Sequence, residues 1–117
     1  MINKAIVIGR LTHDPDLRTT QQGTKVANLR LATNEFVGKD DEGKRKEHTE
    51  YHRLVLFGKL AEIAGEYLKK GRLIYAEGRL QTRSWDDAAG AKHQSTEIVV
   101  ETMQMLGGKE AAGSAAA

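Results

Sequence analysis

A chain of 117 residues, 39% apolar and 29% charged, has the material for one domain with a modest core and leaves no room for a second. The formal charge of +2 and the pI near 8.9 are too mild to announce a polyanion partner, so any such argument rests on where the cations fall. The absence of cysteine excludes a disulfide scaffold and thiolate metal sites, and with no leader-like start and no apolar run of about 18 residues the chain reads as cytosolic, without a membrane helix.

Ile2 to Leu11 is rich in β-branched residues and predicts a first strand, ended at Thr12-His13-Asp14-Pro15 where the only proline sets a turn. Leu17 to Thr20 is expected to be extended and Gln21-Gln22-Gly23 to turn. Lys25 to Phe36 then alternates. Ala27, Leu29, Leu31 and Thr33 share one face, and Asn28, Arg30, Asn34 and Phe36 the other, which predicts a second strand with one apolar side. Gly38 to Lys46, charged and glycine-rich, reads as a long hairpin loop.

The third strand is expected over Thr49 to Lys59. His52, Leu54 and Leu56 make a core face, while Tyr51, Arg53, Val55 and Phe57 point the other way. Arginine is almost never buried without a partner, so this second face is expected to meet something outside the fold. A nucleic-acid strand suits it: each base stacked on a ring is worth roughly 1–3 kcal/mol and the guanidinium meets phosphate, neither contact requiring a particular sequence.

From Lys59 to Lys70 the period changes. Leu60, Ile63, Ala64, Tyr67 and Leu68 form the stripe of an amphipathic helix, with Lys69 and Lys70 at its negative end and Gly71 as its cap. Leu73 to Trp85 returns to alternation: Ile74, Ala76, Gly78, Leu80 and Thr82 oppose Tyr75, Glu77, Arg79, Gln81, Arg83 and Trp85. Asp86 to Lys92 reads as a second hairpin loop and Thr96 to Met105 as a fifth strand centred on Ile98-Val99-Val100. The domain is thus expected over residues 1–106. From Gly107 to Ala117 no apolar pattern remains, which predicts disorder or truncation, with Ala115 to Ala117 resembling cloning residue.

Three strands, a helix and two strands is the order of the OB-fold, an all-β five-stranded Greek-key barrel with one α-helix between the third and fourth strands. Enzyme motifs fail on specifics. Gly38 to Arg45 approaches a phosphate-binding loop, but Arg45 stands where the magnesium-binding hydroxyl belongs and no helix follows. His48 and His52 lie in a strand and lack the order a zinc helix needs; a deaminase reading of His48 and Glu50 lacks its cysteines. The chain is therefore expected to be non-enzymatic, with no metal and no cofactor.

Several spaced motifs together resemble the bacterial single-stranded DNA-binding protein family over about residues 1–108. They are Asn3-Lys4 with Gly9, Asp14-Pro15, Val26-Ala27-Asn28 leading to Leu31-Ala32-Thr33, Thr49 to Arg53 with Phe57 to Ala61, Glu66-Tyr67-Leu68 with Lys70-Gly71, Glu77-Gly78 with Thr82-Arg83 and Trp85, and Met103 to Leu106. The resemblance implies a homotetrameric OB-fold that holds and protects single-stranded DNA during replication, recombination and repair. It assigns base stacking to Tyr51, Phe57 and Trp85, phosphate contacts to Lys4, Arg18, Arg53, Lys59, Lys70 and Arg83, and a subunit interface to His52. The family's fourth aromatic falls at Val37, whereas this chain carries Phe36 one residue earlier; alternation sets Phe36 with Arg30, and a bulge would reverse that. Relatives continue to an acidic tip that recruits replication and repair proteins, and nothing of that kind follows Gly107. Two other readings stay open at this point: a dimeric accessory replication factor of the primosomal type, separated by molar mass, and a protein-assembly OB module, separated by absence of oligonucleotide binding.

Overall fold

The computed structural model describes residues 1–107, so the expectation for the tail beyond Gly107 lies outside the described residues. The elements run β1 (Ala5–Leu11), β2 (Asp16–Thr19), β3 (Lys25–Lys39), β4 (Arg45–Phe57), α1 (Lys59–Tyr67), β5 (Leu73–Asp86) and β6 (Lys92–Leu106). They form a single sheet in the order β1-β5-β6-β4-β3-β2. A further pairing of Arg10 and Leu11 in β1 with Ala32 and Leu31 in β3 closes β1, β3, β4, β5 and β6 into a barrel. β4 and β6 run parallel at Leu54–Ile98 and Val55–Val99; the other pairs are antiparallel. This is the OB-fold. The stretch read only as extended is a short exposed strand, β2, appended to β3 outside the five-stranded barrel.

Closure explains the core. Leu29, Leu31, Leu54, Leu56 and Ile74 are fully buried inside the barrel with Ala27, Ala76, Ile98 and Val100 around them. Each such leucine or isoleucine contributes about 1.5–3 kcal/mol relative to an exposed position. The expected alternation holds within the barrel and stops mattering beyond it: Leu80 and Thr82 are exposed because β5 runs past the barrel wall into a projecting hairpin. Val55 departs from the pattern, being buried on the outward face, where Val99 of the parallel strand β6 is its lateral partner. At Gly78 the sheet leaves no space for a side chain, since a Cβ there would overlap the carbonyl oxygen of Val99; β5 and β6 shift register at this point.

The first predicted hairpin loop, Gly38 to Lys46, shrinks to the residues between Lys39 and Arg45, while the second, Asp86 to Lys92, differs by one residue at each end and β6 begins at Lys92 rather than at Thr96. In each, one aspartate does the work of the loop. The Asp40 carboxylate accepts from the amides of Glu42 and Lys44, both at 2.9 Å, and the Asp87 carboxylate accepts from Ala89 and Ala91, also at 2.9 Å. Gly43 and Gly90, with φ of 79° and 84°, occupy the same place in the two turns. A charged stretch such as Gly38 to Lys46 therefore holds strand up to Lys39 and again from Arg45.

The helix is also shorter than its stripe. It ends at Tyr67; Leu68, in extended conformation, is the cap residue and is buried in the core. Lys69 and Lys70 consequently belong to the following turn rather than to the last helical turn, and Gly71 donates to the carbonyl of Leu11 at 2.8 Å instead of capping the helix. The helix approaches the barrel through the small residues Ala61 and Ala64, which leaves Tyr67 exposed.

Candidate nucleic-acid interface

Residues directly opposite each other in an antiparallel ladder share a face. The β3–β4 register therefore assembles one outward surface: Val26 with Phe57, Asn28 with Val55, Arg30 with Arg53, Ala32 with Tyr51, Asn34 with Thr49 and Phe36 with Glu47. Tyr51 is 69% exposed and Phe57 48%, large fractions for aromatics on a well-formed strand. The register shift in this hairpin falls between Phe36 and Gly38, beyond Phe36 rather than before it. Alternation is thus intact up to Phe36, which stays on the face of Arg30, its ring covered by the Arg45 guanidinium at 4.8 Å.

Arg30 and Arg53 are direct cross-strand neighbours, and among the described residues neither forms an ion pair. Like charges placed directly opposite each other oppose folding. The two arginines line an open groove of about 610 Å³ with His13, Arg18, Asn28 and Arg83, over a floor that includes Leu29 and Leu54. Three carboxylates also border it. Asp16 lies 3.5 Å from Arg18, Asp14 accepts from the backbone amide of Lys70 at 2.8 Å, and Glu97 is only 4% exposed. Arg83 neutralises that buried carboxylate, its Nε 3.2 Å from Glu97 Oε1.

The β5–β6 hairpin supplies the remaining aromatic. Trp85 is the register partner of His93, and their rings stack with centroids 5.6 Å apart and planes inclined by 20°. The Arg83 guanidinium also lies 5.6 Å from the Trp85 ring centre. His93 Nε2 bonds Asp87 Oδ2 at 2.7 Å, and this bond, helped by the backbone amides of the turn, holds the Asp87 carboxyl below its ordinary range.

The predicted residues therefore divide. Arg18, Arg53 and Arg83 meet in the groove; Tyr51, Phe57, Trp85 and Phe36 are exposed on the strands around it. Lys59 is exposed at the start of α1, two residues past Phe57, and the Asp14 bond sets Lys70 beside the loop that borders the groove. Lys4 is elsewhere: its ammonium pairs with Glu77 at 3.0 Å, beside the exposed Ile6 and six residues along β5 from Arg83. His52 is half-buried at the barrel's end, where its Nε2 and Thr33 Oγ1 share a hydrogen bond at 2.9 Å. Sequence reasoning did not nominate Arg30, His93 or Glu97. The alternation that set Arg30 with Phe36 already pointed to the first; the other two depend on the β5–β6 register.

A closed OB barrel whose outer surface joins unpaired arginines to exposed rings is a nucleic-acid-binding module of the single-strand type. The chain belongs to the single-strand binding protein family, whose model matches residues 2–106. It is 54% identical over 113 residues, covering 96% of this chain and 69% of the other, to single-stranded DNA-binding protein 1 of Chlorobaculum tepidum. Among solved structures it is similar to the Plasmodium falciparum SSB in complex with single-stranded DNA, at 34% identity and a TM-score of 0.83, covering 92% of this chain and 97% of that one. The resemblance read from the spaced motifs, and the OB-fold it implied, are borne out.

Proposed function

We propose that this protein binds single-stranded DNA without sequence preference and shields it during replication, recombination and repair. The Arg30–Arg53 neighbours carry the reading: two cations side by side, neither in an ion pair among the described residues, suit the phosphates of a nucleic-acid backbone. Phosphates track along Arg18, Arg30 and Arg53, with Lys59 and Lys70 at the margin, while bases stack on Tyr51, Phe57, Trp85 and Phe36. The membership of a family of binding proteins supports a role without catalysis. Among the described residues no helix is long and apolar enough to cross a membrane, and a DNA ligand implies the compartment that holds the chromosome, the bacterial cytoplasm.

Assembly into a homotetramer belongs to the same proposal. Among the described residues, β1 from Ala5 to Ile8 has a ladder partner on one side only, β5, which leaves the other edge to pair with a second copy. Ile6 and Ile8, 55% and 53% exposed, give that region an apolar surface that self-association would bury, and the half-buried His52 is the interface residue the family resemblance implies.

The deciding experiment uses the lone tryptophan. Titration with an unstructured thymidine oligonucleotide should quench Trp85 emission strongly, and duplex DNA should not. Single-strand affinity should fall steeply with salt as counterions are released. Equal binding of both forms, or none of either, refutes the proposal.

A further inference from the structure

His93 has no part in the sequence motifs, yet it is the register partner of the lone tryptophan and stacks on its ring across the hairpin. Three observations converge on it. Its ring lies nearly parallel to that of Trp85, with 5.6 Å between centroids and 20° between planes. Its Nε2 is tethered to Asp87 Oδ2 at 2.7 Å. Asp87 is itself immobilised, since its other oxygen accepts from two turn amides and its backbone amide donates to the carbonyl of Ala91 at 2.9 Å.

We propose that His93 is a positioning residue for base stacking: clamped by Asp87, it backs one face of the Trp85 indole and so presents the ring to a base in a single orientation. This rests on the reading of Trp85 as a stacking residue. An indole on a projecting hairpin, 45% exposed, would otherwise sample several rotamers and lose that freedom on binding. The Arg83 guanidinium, paired with buried Glu97, lies 5.6 Å from the centre of the same ring. His93 acts on DNA through Trp85 and needs no contact of its own.

Five proteins decide the matter: wild type, His93→Ala, His93→Phe, Trp85→Ala and the double variant His93→Ala/Trp85→Ala. Affinity is read from the anisotropy of a dye-labelled thymidine oligonucleotide, and ring exposure from acrylamide quenching of Trp85 in the free protein. Loss of an aromatic partner should weaken binding about two- to tenfold in His93→Ala, and acrylamide should reach Trp85 more readily. His93→Phe, which keeps a flat ring against the indole but loses the Asp87 bond, should rescue part of the loss and not all of it. In the Trp85→Ala background, His93→Ala should change nothing further. Wild-type affinity in His93→Ala overturns the proposal, as does a His93→Phe protein no better than His93→Ala. An undiminished effect of His93→Ala in the double variant also overturns it, by showing a direct contact with DNA. Full affinity of Trp85→Ala alone marks a different failure, that of the stacking role of Trp85 itself.

Discussion

One strand, β5, carries two opposite surface chemistries. At its start Tyr75 and Glu77 lie beside Ile8 and Ile6 of β1, a patch where the charges are already satisfied: Glu77 is bonded by the Tyr75 hydroxyl and paired with Lys4. Towards its end come Arg83 and Trp85, in a region where Arg30 and Arg53 across the groove remain unsatisfied. A surface whose polar groups are paired internally and whose remainder is apolar suits a second copy of the same chain. A surface that leaves cations unpaired and rings exposed suits a polyanion with bases. Both follow from one alternation pattern, so the difference lies in which neighbour closure brings alongside.

The largest effect that would break this contrast is on assembly. Ile8→Glu, alone or with Ile6→Glu, sets charge where self-association would bury about 1.5–3 kcal/mol per isoleucine. Light scattering should then report the mass of a single 12.9 kDa chain, with the thermal melt of the fold little changed. An unaltered oligomer would remove the apolar patch from the interface. On the groove side, Trp85→Ala should lose about 1–3 kcal/mol of single-strand affinity while leaving the oligomer intact. Isothermal titration checks this, and a retained affinity would reassign the ring.

A finer test separates function from stability. Arg30→Ala should weaken single-strand binding and lower the magnitude of the salt slope by about 0.7. It should also raise folding stability by roughly 0.2–1 kcal/mol in urea titration, because it relieves a like-charge pair. Destabilisation by this substitution would mean that Arg30 has a structural partner after all. The smallest effect is on pH dependence. The Asp87 carboxyl is held low chiefly by His93, and the Glu77 carboxyl chiefly by the Tyr75 hydroxyl, with Lys4 next. A depressed folded-state pKa contributes stability that is present above the unfolded value near 3.8 for Asp87 and 4.5 for Glu77 and is lost as pH falls through the folded value. Melting temperature should therefore drop on acidification below about pH 5, and less steeply in Asp87→Asn and Glu77→Gln; identical slopes in all three proteins would contradict both bonds.

What the sequence determined by itself is whatever depends on period and on local chemistry. Alternation in Lys25 to Phe36 and Thr49 to Lys59 identified the inner leucines and the outer arginine and aromatics correctly, because a strand has only two faces. It also set Phe36 with Arg30, though only the observed position of the bulge decided that this pairing survives. Element lengths were misjudged where charge and glycine suggested loops, since one aspartate side chain can satisfy a five-residue turn and let the strands zip to its edges. Contacts between strands distant in sequence belonged to tertiary structure alone. No local rule tells that Arg53 faces Arg30, that buried Glu97 takes Arg83, or that β1 meets β3 only at Arg10 and Leu11, because register and closure are set by the fit of the whole core rather than by any one strand.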